Sequence, residues 1–494
     1  MTEESKWKRV LRSRLLLKPP VLSDPRLLKT STKAIILLSL ALCGCTSGFS
    51  STIYFPGLPA ITADLNAPPI ATTLTAALFV LAMGIAPVFW ASLSDFYQVR
   101  RILLMLSMLI FGAASIGSAF INNIWGLVVL RCVQSVGSSC GQSVGAGVIA
   151  DCYPIETRGA AFGKFFFGVF FGPLLGPIIG GFLIMSPLSW RATFWFCFAL
   201  ALFIFSFLFF FFPETYRQHD KYDLELPTTK DSISSTSSGT LNRAEQSDST
   251  VEKNEAIDKS DEKTVTPVPA KRRIDPLAAF YLLRHPFIFL SAVISGIAFG
   301  CMFAVETIIP GLYEANYGFN SWQTGLSYLG AGVGNLLGSI LGGMLSDRLL
   351  LRSRKLRGGR AMVEDRLTAN LWPCCFIFIP FGILLFGWSI EYRLTVWAPI
   401  VAFGIQTFGM NQVMTATSAY LVDAMPSQGA SATAAANLVR MLLACALTLA
   451  ANPMVSAIGP GYTCVFLAAL SVIACAFLVV LKYKGEKLRA WSGF

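Results

Sequence analysis

Apolar residues gather in runs near the ~20 residues that a helix needs to cross a bilayer. The first six runs cover residues 34–55, 70–91, 101–121, 125–149, 160–185 and 191–212. Six more cover 286–309, 324–345, 370–390, 395–420, 430–452 and 462–481. The pattern predicts an all-α membrane protein with twelve transmembrane helices in two pseudo-symmetric six-helix bundles. A basic tail, 1–33, precedes a bundle at 34–213, and a second bundle at 286–481 precedes a tail at 482–494. The segment 214–285 between them is rich in Ser, Thr, Lys, Asp and Glu, as in Ser232 to Gly239. Such a stretch buries too little apolar surface to fold alone, so it reads as a disordered cytoplasmic linker.

Composition changes this picture little. The chain is 54% hydrophobic and 14% charged, with a mean hydropathy of +0.60, which excludes an ordinary soluble core. A net charge of +11 would point to nucleic acid in a soluble protein. Here the Lys and Arg collect on one side: Arg100, Arg101, Arg158, Arg348 through Arg366, and Lys482 through Arg489. That asymmetry predicts cytoplasmic termini and no nucleic-acid partner. The twelve cysteines lie mostly within apolar runs and form no zinc spacing. Both histidines, His219 and His285, fall in or beside the middle segment, so intramembrane proton transfer cannot rest on histidine. With no Ser-His pair or carboxylate cluster at membrane depth, an enzyme is not expected, nor a metal or other cofactor.

Charges inside apolar runs mark function because lipid does not tolerate them cheaply. Arg131, with Gln134 one turn on and Gly137 beyond, is the strongest candidate for a transport or proton-coupling role. Arg440, with Asn437 one turn before it, is a comparable intramembrane cation. Glu306 could carry a proton or attract a cationic substrate. Snorkelling to the interface is the plainer alternative for Arg131, and interfacial exposure for Glu306. Tyr54, Gln142, Asn411, Gln412 and Asn437 are candidates for a substrate cavity.

The halves echo each other. Leu93-Ser94-Asp95 ends the second run and Leu345-Ser346-Asp347 the eighth, with Arg100 and Arg101 or Arg348 following. Parallel repeats of this kind mark two-bundle secondary transporters. The aspartates and arginines are candidate gate residues. So is Gly168 to Gly181, where Gly172, Pro173, Gly176, Pro177, Gly180 and Gly181 lie in one apolar run. Glycines four apart let a second backbone approach, while prolines bend or stiffen the axis. The stretch is either a helix-packing face or a kinked helix sealing one moving part against another.

With these residues in view, the chain resembles the major facilitator superfamily, and within it the fungal twelve-span drug:proton antiporter branch. Ala91-Ser-Leu-Ser-Asp95 with Arg100 and Arg101 resembles the family's loop motif between spans two and three. Arg131-x-x-Gln134-x-x-Gly137 resembles the proton-coupling motif of span four, and Gly172 to Gly181 the antiporter motif of span five. Trp190-Arg191, Pro213-Glu214-Thr215 and Glu364-Asp365-Arg366-Leu367 are further resemblances to fungal members. The chain departs from the family at Ala91, where members place Gly, and at Gln98-Val99, where they place Gly-Arg. The resemblance implies a monomeric exporter of a small organic compound, cationic or amphipathic, such as a drug, polyamine or spore-wall precursor. Proton antiport would drive it by alternating access, with the proton gradient in place of a cofactor. It implies multi-pass insertion in the plasma membrane, with a vacuolar or spore membrane as alternatives. A proton-coupled importer or facilitator of a nutrient and a nontransporting membrane sensor remain open.

Overall fold

The computed structural model describes residues 24–217, 281–356, 358, 363–367, 373–425 and 429–493. The basic tail before residue 24 and most of the expected linker, including the Ser-rich run from Ser232, lie outside them. The described residues 24–216 and those from 281 to 493 belong to one compact unit.

The first half comprises α1 (Thr30–Thr52), α2 (Pro69–Tyr97), α3 (Arg101–Phe120), α4 (Ile124–Cys152), α5 (Ile155–Ile184) and α6 (Arg191–Phe211). The second comprises α7 (Pro286–Tyr317), α8 (Leu329–Leu356), α9 (Ile379–Glu391) and α10 (Trp397–Ala424). Its last two helices form one run, Gly429–Trp491, divided at Gly459, where φ is 81°. They are α11 (429–458) and α12 (460–491). Eight helical stretches among the described residues are apolar and long enough to cross a membrane, and the last of them spans both α11 and α12. The helices α4, α8 and α10 fall outside that set: each is long enough but carries more polar side chains.

Local chemistry sets the ends. The Asn123 side chain caps α4 by accepting the Trp125 N–H at 2.9 Å. Gly318 ends α7 in the left-handed region at φ 65°. Several helices run past their apolar segments, because hydrophobicity marks the lipid-buried length and not the hydrogen-bonded one. Thus α12 continues through most of the expected tail 482–494, to Trp491.

Glycines show the internal repeat. In the first half, α1 packs on α5, α2 and α3 on α4, and α3 on α6. In the second, α7 packs on α11, α8 and α9 on α10, and α9 on α12. Close backbone approaches serve both sets, at Gly172, Gly137 and Gly112 in one and at Gly300, Gly382 and Gly387 in the other. The halves meet along a seam where α5 faces α8 and its preceding short helix, Ser321–Ser327, and α2 faces α11. The starts of α1 and α7 and the end of α12 define a tail end. Described approaches across the seam run from mid-depth, Gly84 on Met441, to the far end, Gly181 on Ser321 and Trp322.

Candidate functional site

Arg131 lies inside the first half, 1% exposed. Its guanidinium is sandwiched between the rings of Tyr54 and Phe79, each 4.1 Å from its centre. It donates to Gln134 Oε1 at 2.6 Å and to Ser50 Oγ at 3.2 Å, while Gln134 Nε2 donates to Ser115 Oγ at 2.8 Å. The cation thus faces a polar and aromatic interior built by α1, α2, α3 and α6, not lipid. Nε and one terminal nitrogen still lack acceptors.

Tyr54 is fully buried against Arg131, with its hydroxyl 3.3 Å from Thr75 Oγ1. The neighbouring Phe55 leads to the seam. Its ring lies parallel to that of Tyr328 at 6.5 Å and edge-on to that of Phe303, and Tyr328 donates to the Glu306 carbonyl at 2.7 Å. Glu306 therefore sits behind a far-end plug of aromatic rings, 5% exposed, with Oε2 unpartnered. Three carboxylates are buried among the described residues, and Asp151 and Glu364 lie at the tail end. Glu306 is the one enclosed at depth.

The plug continues in polar contacts. Asn452 of α11 donates to Thr73 of α2 at 2.7 Å, and Phe182 stacks on Trp322 at 6.1 Å. The proline-glycine helix α5 divides its work by face. Gly172, Gly176 and Gly180 seat α1, whose Cys45 and Ile53 carbonyls and Thr52 hydroxyl leave no room for a Cβ. Leu174, Pro177 and Gly181 meet the other half at Gly332, Gly325 and Ser321. Pro173, on the seat side, packs on Gly48. The stretch is thus a packing face toward α1, and a second side of it contacts the other half.

At the tail end, Arg100 staples the first half. It pairs with Asp95 and Asp151, each at 3.1 Å, donates to Ser94 Oγ and stacks over Tyr216. The Glu214 carboxylate accepts the backbone N–H of Arg100 and Arg101 at 3.0 and 3.1 Å, capping α3. Arg101 also donates to the Phe209 carbonyl. In the second half Arg348 is exposed, and the Asp347 side chain lies outside the described residues. A different staple appears there: Arg489 near the end of α12 grips both oxygens of Glu364 at 3.0 and 2.9 Å.

The cavity candidates scatter. Gln142 donates to Ser47 at 2.8 Å, Gln412 to the Gly338 carbonyl at 3.2 Å, and Asn411 to Asn335. Asn437 is half-buried on α11, and Arg440, 8% exposed, lies over the Phe299 ring. Asn335, Thr73 and Asn452 belong to no motif, and only packing brings them to their polar partners. Gln406, fully buried with neither amide atom partnered, was legible: it precedes Asp423 by 17 residues, as Gln134 precedes Asp151.

Comparison with known proteins agrees with this geometry. Residues 40–449 match the family model of the Major Facilitator Superfamily. The chain belongs to that superfamily. The "MFS antiporter QDR3" of Candida albicans is 28% identical, over 95% of this chain and 80% of its own length. The "MFS-type transporter phiD" of a fungal species is 30% identical, over 92% of this chain and 69% of its own. A crystal structure of a bacterial homologue of the human lysosomal transporter Spinster, inward-facing and unoccupied, superposes with a TM-score of 0.64 at 15% identity. It covers 93% of this chain and 99% of that one. The superfamily and fold make this chain a multi-pass membrane transporter of small molecules, not an enzyme.

Proposed function

We propose that this transporter exports a small amphipathic organic compound by proton antiport, alternating access between the two faces. The tail-end arginines and lysines support reading that end as cytoplasmic, and the aromatic contacts at the far end support reading the state as inward-facing. Superfamily membership supports the transport reading, and one relative carries the word antiporter in its name.

Glu306 carries the proton part of the proposal. An ionised carboxylate enclosed without a cation or donor is costly, and its Oε2 has no partner. The enclosed group therefore holds a proton. It can load that proton from the far face, once the rings of Phe55 and Tyr328 part and the far end opens, and release it when water reaches it from the tail end. One side chain at the seam would then take up and release a proton on opposite faces, the requirement of coupling.

The test uses the full chain in proteoliposomes. Glu306→Gln, fixed in the neutral form, should keep substrate exchange while losing its acceleration by an imposed pH gradient. A variant that still responds to the gradient like the wild type removes Glu306 from coupling.

A further inference from the structure

We propose that the exported compound is anionic and that Arg440 binds its negative group at the seam between the halves. This rests on the transporter reading above and reverses the charge that Glu306 alone would lead one to expect.

Arg440 sits where α11 passes between two neighbours. Its Cα packs against Gly296 of α7, in its own half. The adjacent Met441 and Leu438 meet Gly84 of α2, in the other half. The side chain is 8% exposed, and Nε is enclosed with no acceptor. No ion pair among the described residues involves it. Two turns on, along the same face of α11, Thr448 Oγ1 is also buried without a partner. Arg131 differs: its guanidinium is engaged by Gln134, Ser50 and two flanking rings. For Arg440 a single ring, Phe299 at 5.9 Å, stands in place of that set.

A guanidinium stays charged at any pH the protein meets. At mid-depth it needs an anion or a water-filled space. Glu306 does not supply the anion, since it lies seven residues beyond Phe299 on α7. That is about 10 Å along the axis at the helical rise. Both residues belong to the second half, so rigid rocking of one half against the other does not join them. Of the charges enclosed at depth among the described residues, two are arginines and one is a carboxyl. The balance stays positive even when Glu306 is ionised. A cargo with a carboxylate, sulfonate or phosphate would neutralise it, held by the forked edge of Arg440. Phe299, Met441 and Leu443 around it favour an apolar body behind the charge.

The experiment is equilibrium binding to the full chain in nanodiscs, with three probes of one shape. These are 2-naphthalenesulfonate, 2-naphthamide and trimethyl(2-naphthyl)ammonium, with sodium chloride as a competing arm. The sulfonate should bind at least about tenfold tighter than the other two, a margin of about 1.4 kcal/mol. Arg440→Gln should erase the margin and leave the amide unchanged, and Glu306→Gln should preserve it. If Arg440→Gln does not fold, Arg440→Lys decides, because losing the fork should shrink the margin. The proposal is overturned if the amide or the ammonium binds as tightly as the sulfonate. It is also overturned if the margin survives in the arginine variants, or if chloride displaces the sulfonate at equal concentration. Failure of the antiport reading would show separately, as an intact binding preference with no gradient-driven flux.

Discussion

Arg131 shows how a costly residue becomes a tolerated one. Its charge is spread over two hydrogen bonds and two ring faces, cation–π contacts worth about 0.5–2 kcal/mol each. Lysine offers one compact ammonium and cannot lie flat between Tyr54 and Phe79. Arg131→Lys should therefore lower gradient-driven flux at least about tenfold, roughly 1.4 kcal/mol of coupling, with the protein still in the membrane. Flux assays on matched amounts of purified protein check this. The motif gave away Arg131 and Gln134, since an arginine in an apolar run has few bland explanations. It could not give away Ser50, Phe79 or Ser115, which look like ordinary span residues until the helices pack. The departure at Gln98 also has a local consequence. This residue ends α2 at φ 55°, in the left-handed region where glycine is the easier choice. The chain accepts the strain of a side chain in that turn.

Among the elements, α5 is the one whose sequence was most informative and most ambiguous. Five glycines and two prolines between Gly168 and Gly181 announced close packing, but not which partner each would meet. A spacing of four puts Gly172, Gly176 and Gly180 on one face, and that face seats α1. Contact across the seam falls to Leu174, Pro177 and Gly181 on another. At Gly180 an added methyl collides with the Ile53 carbonyl oxygen, which belongs to backbone and cannot swing aside. Gly180→Ala should cost about 1–3 kcal/mol by overpacking, seen as a lowered unfolding temperature in detergent. Gly311→Ala on α7, where the new methyl meets nothing within 4 Å, should leave stability unchanged or raise it by up to about 1 kcal/mol.

At the scale of the molecule, twelve apolar runs and a repeated Leu-Ser-Asp were enough to draw two bundles. They were not enough to show which face is closed, because a seam is set by contacts between residues far apart in the chain. Phe55 on Tyr328, Asn452 on Thr73 and Phe182 on Trp322 meet across the seam at the far end. Glu306 and Arg440 lie at different depths, so the proposed proton site and the proposed cargo site are separate along α7 and α11. The staples at Arg100 and at Arg489 bind each half to itself, so the bundles can move as units about that seam. The most direct test follows protons with a pH-sensitive dye sealed inside proteoliposomes bearing the full chain. A transported member of the charge-matched panel is loaded inside and allowed to leave down its own gradient. The account predicts that its exit acidifies the lumen, and that Glu306→Gln abolishes the acidification. A lumen whose pH stays constant, or turns alkaline, while the compound leaves would contradict it.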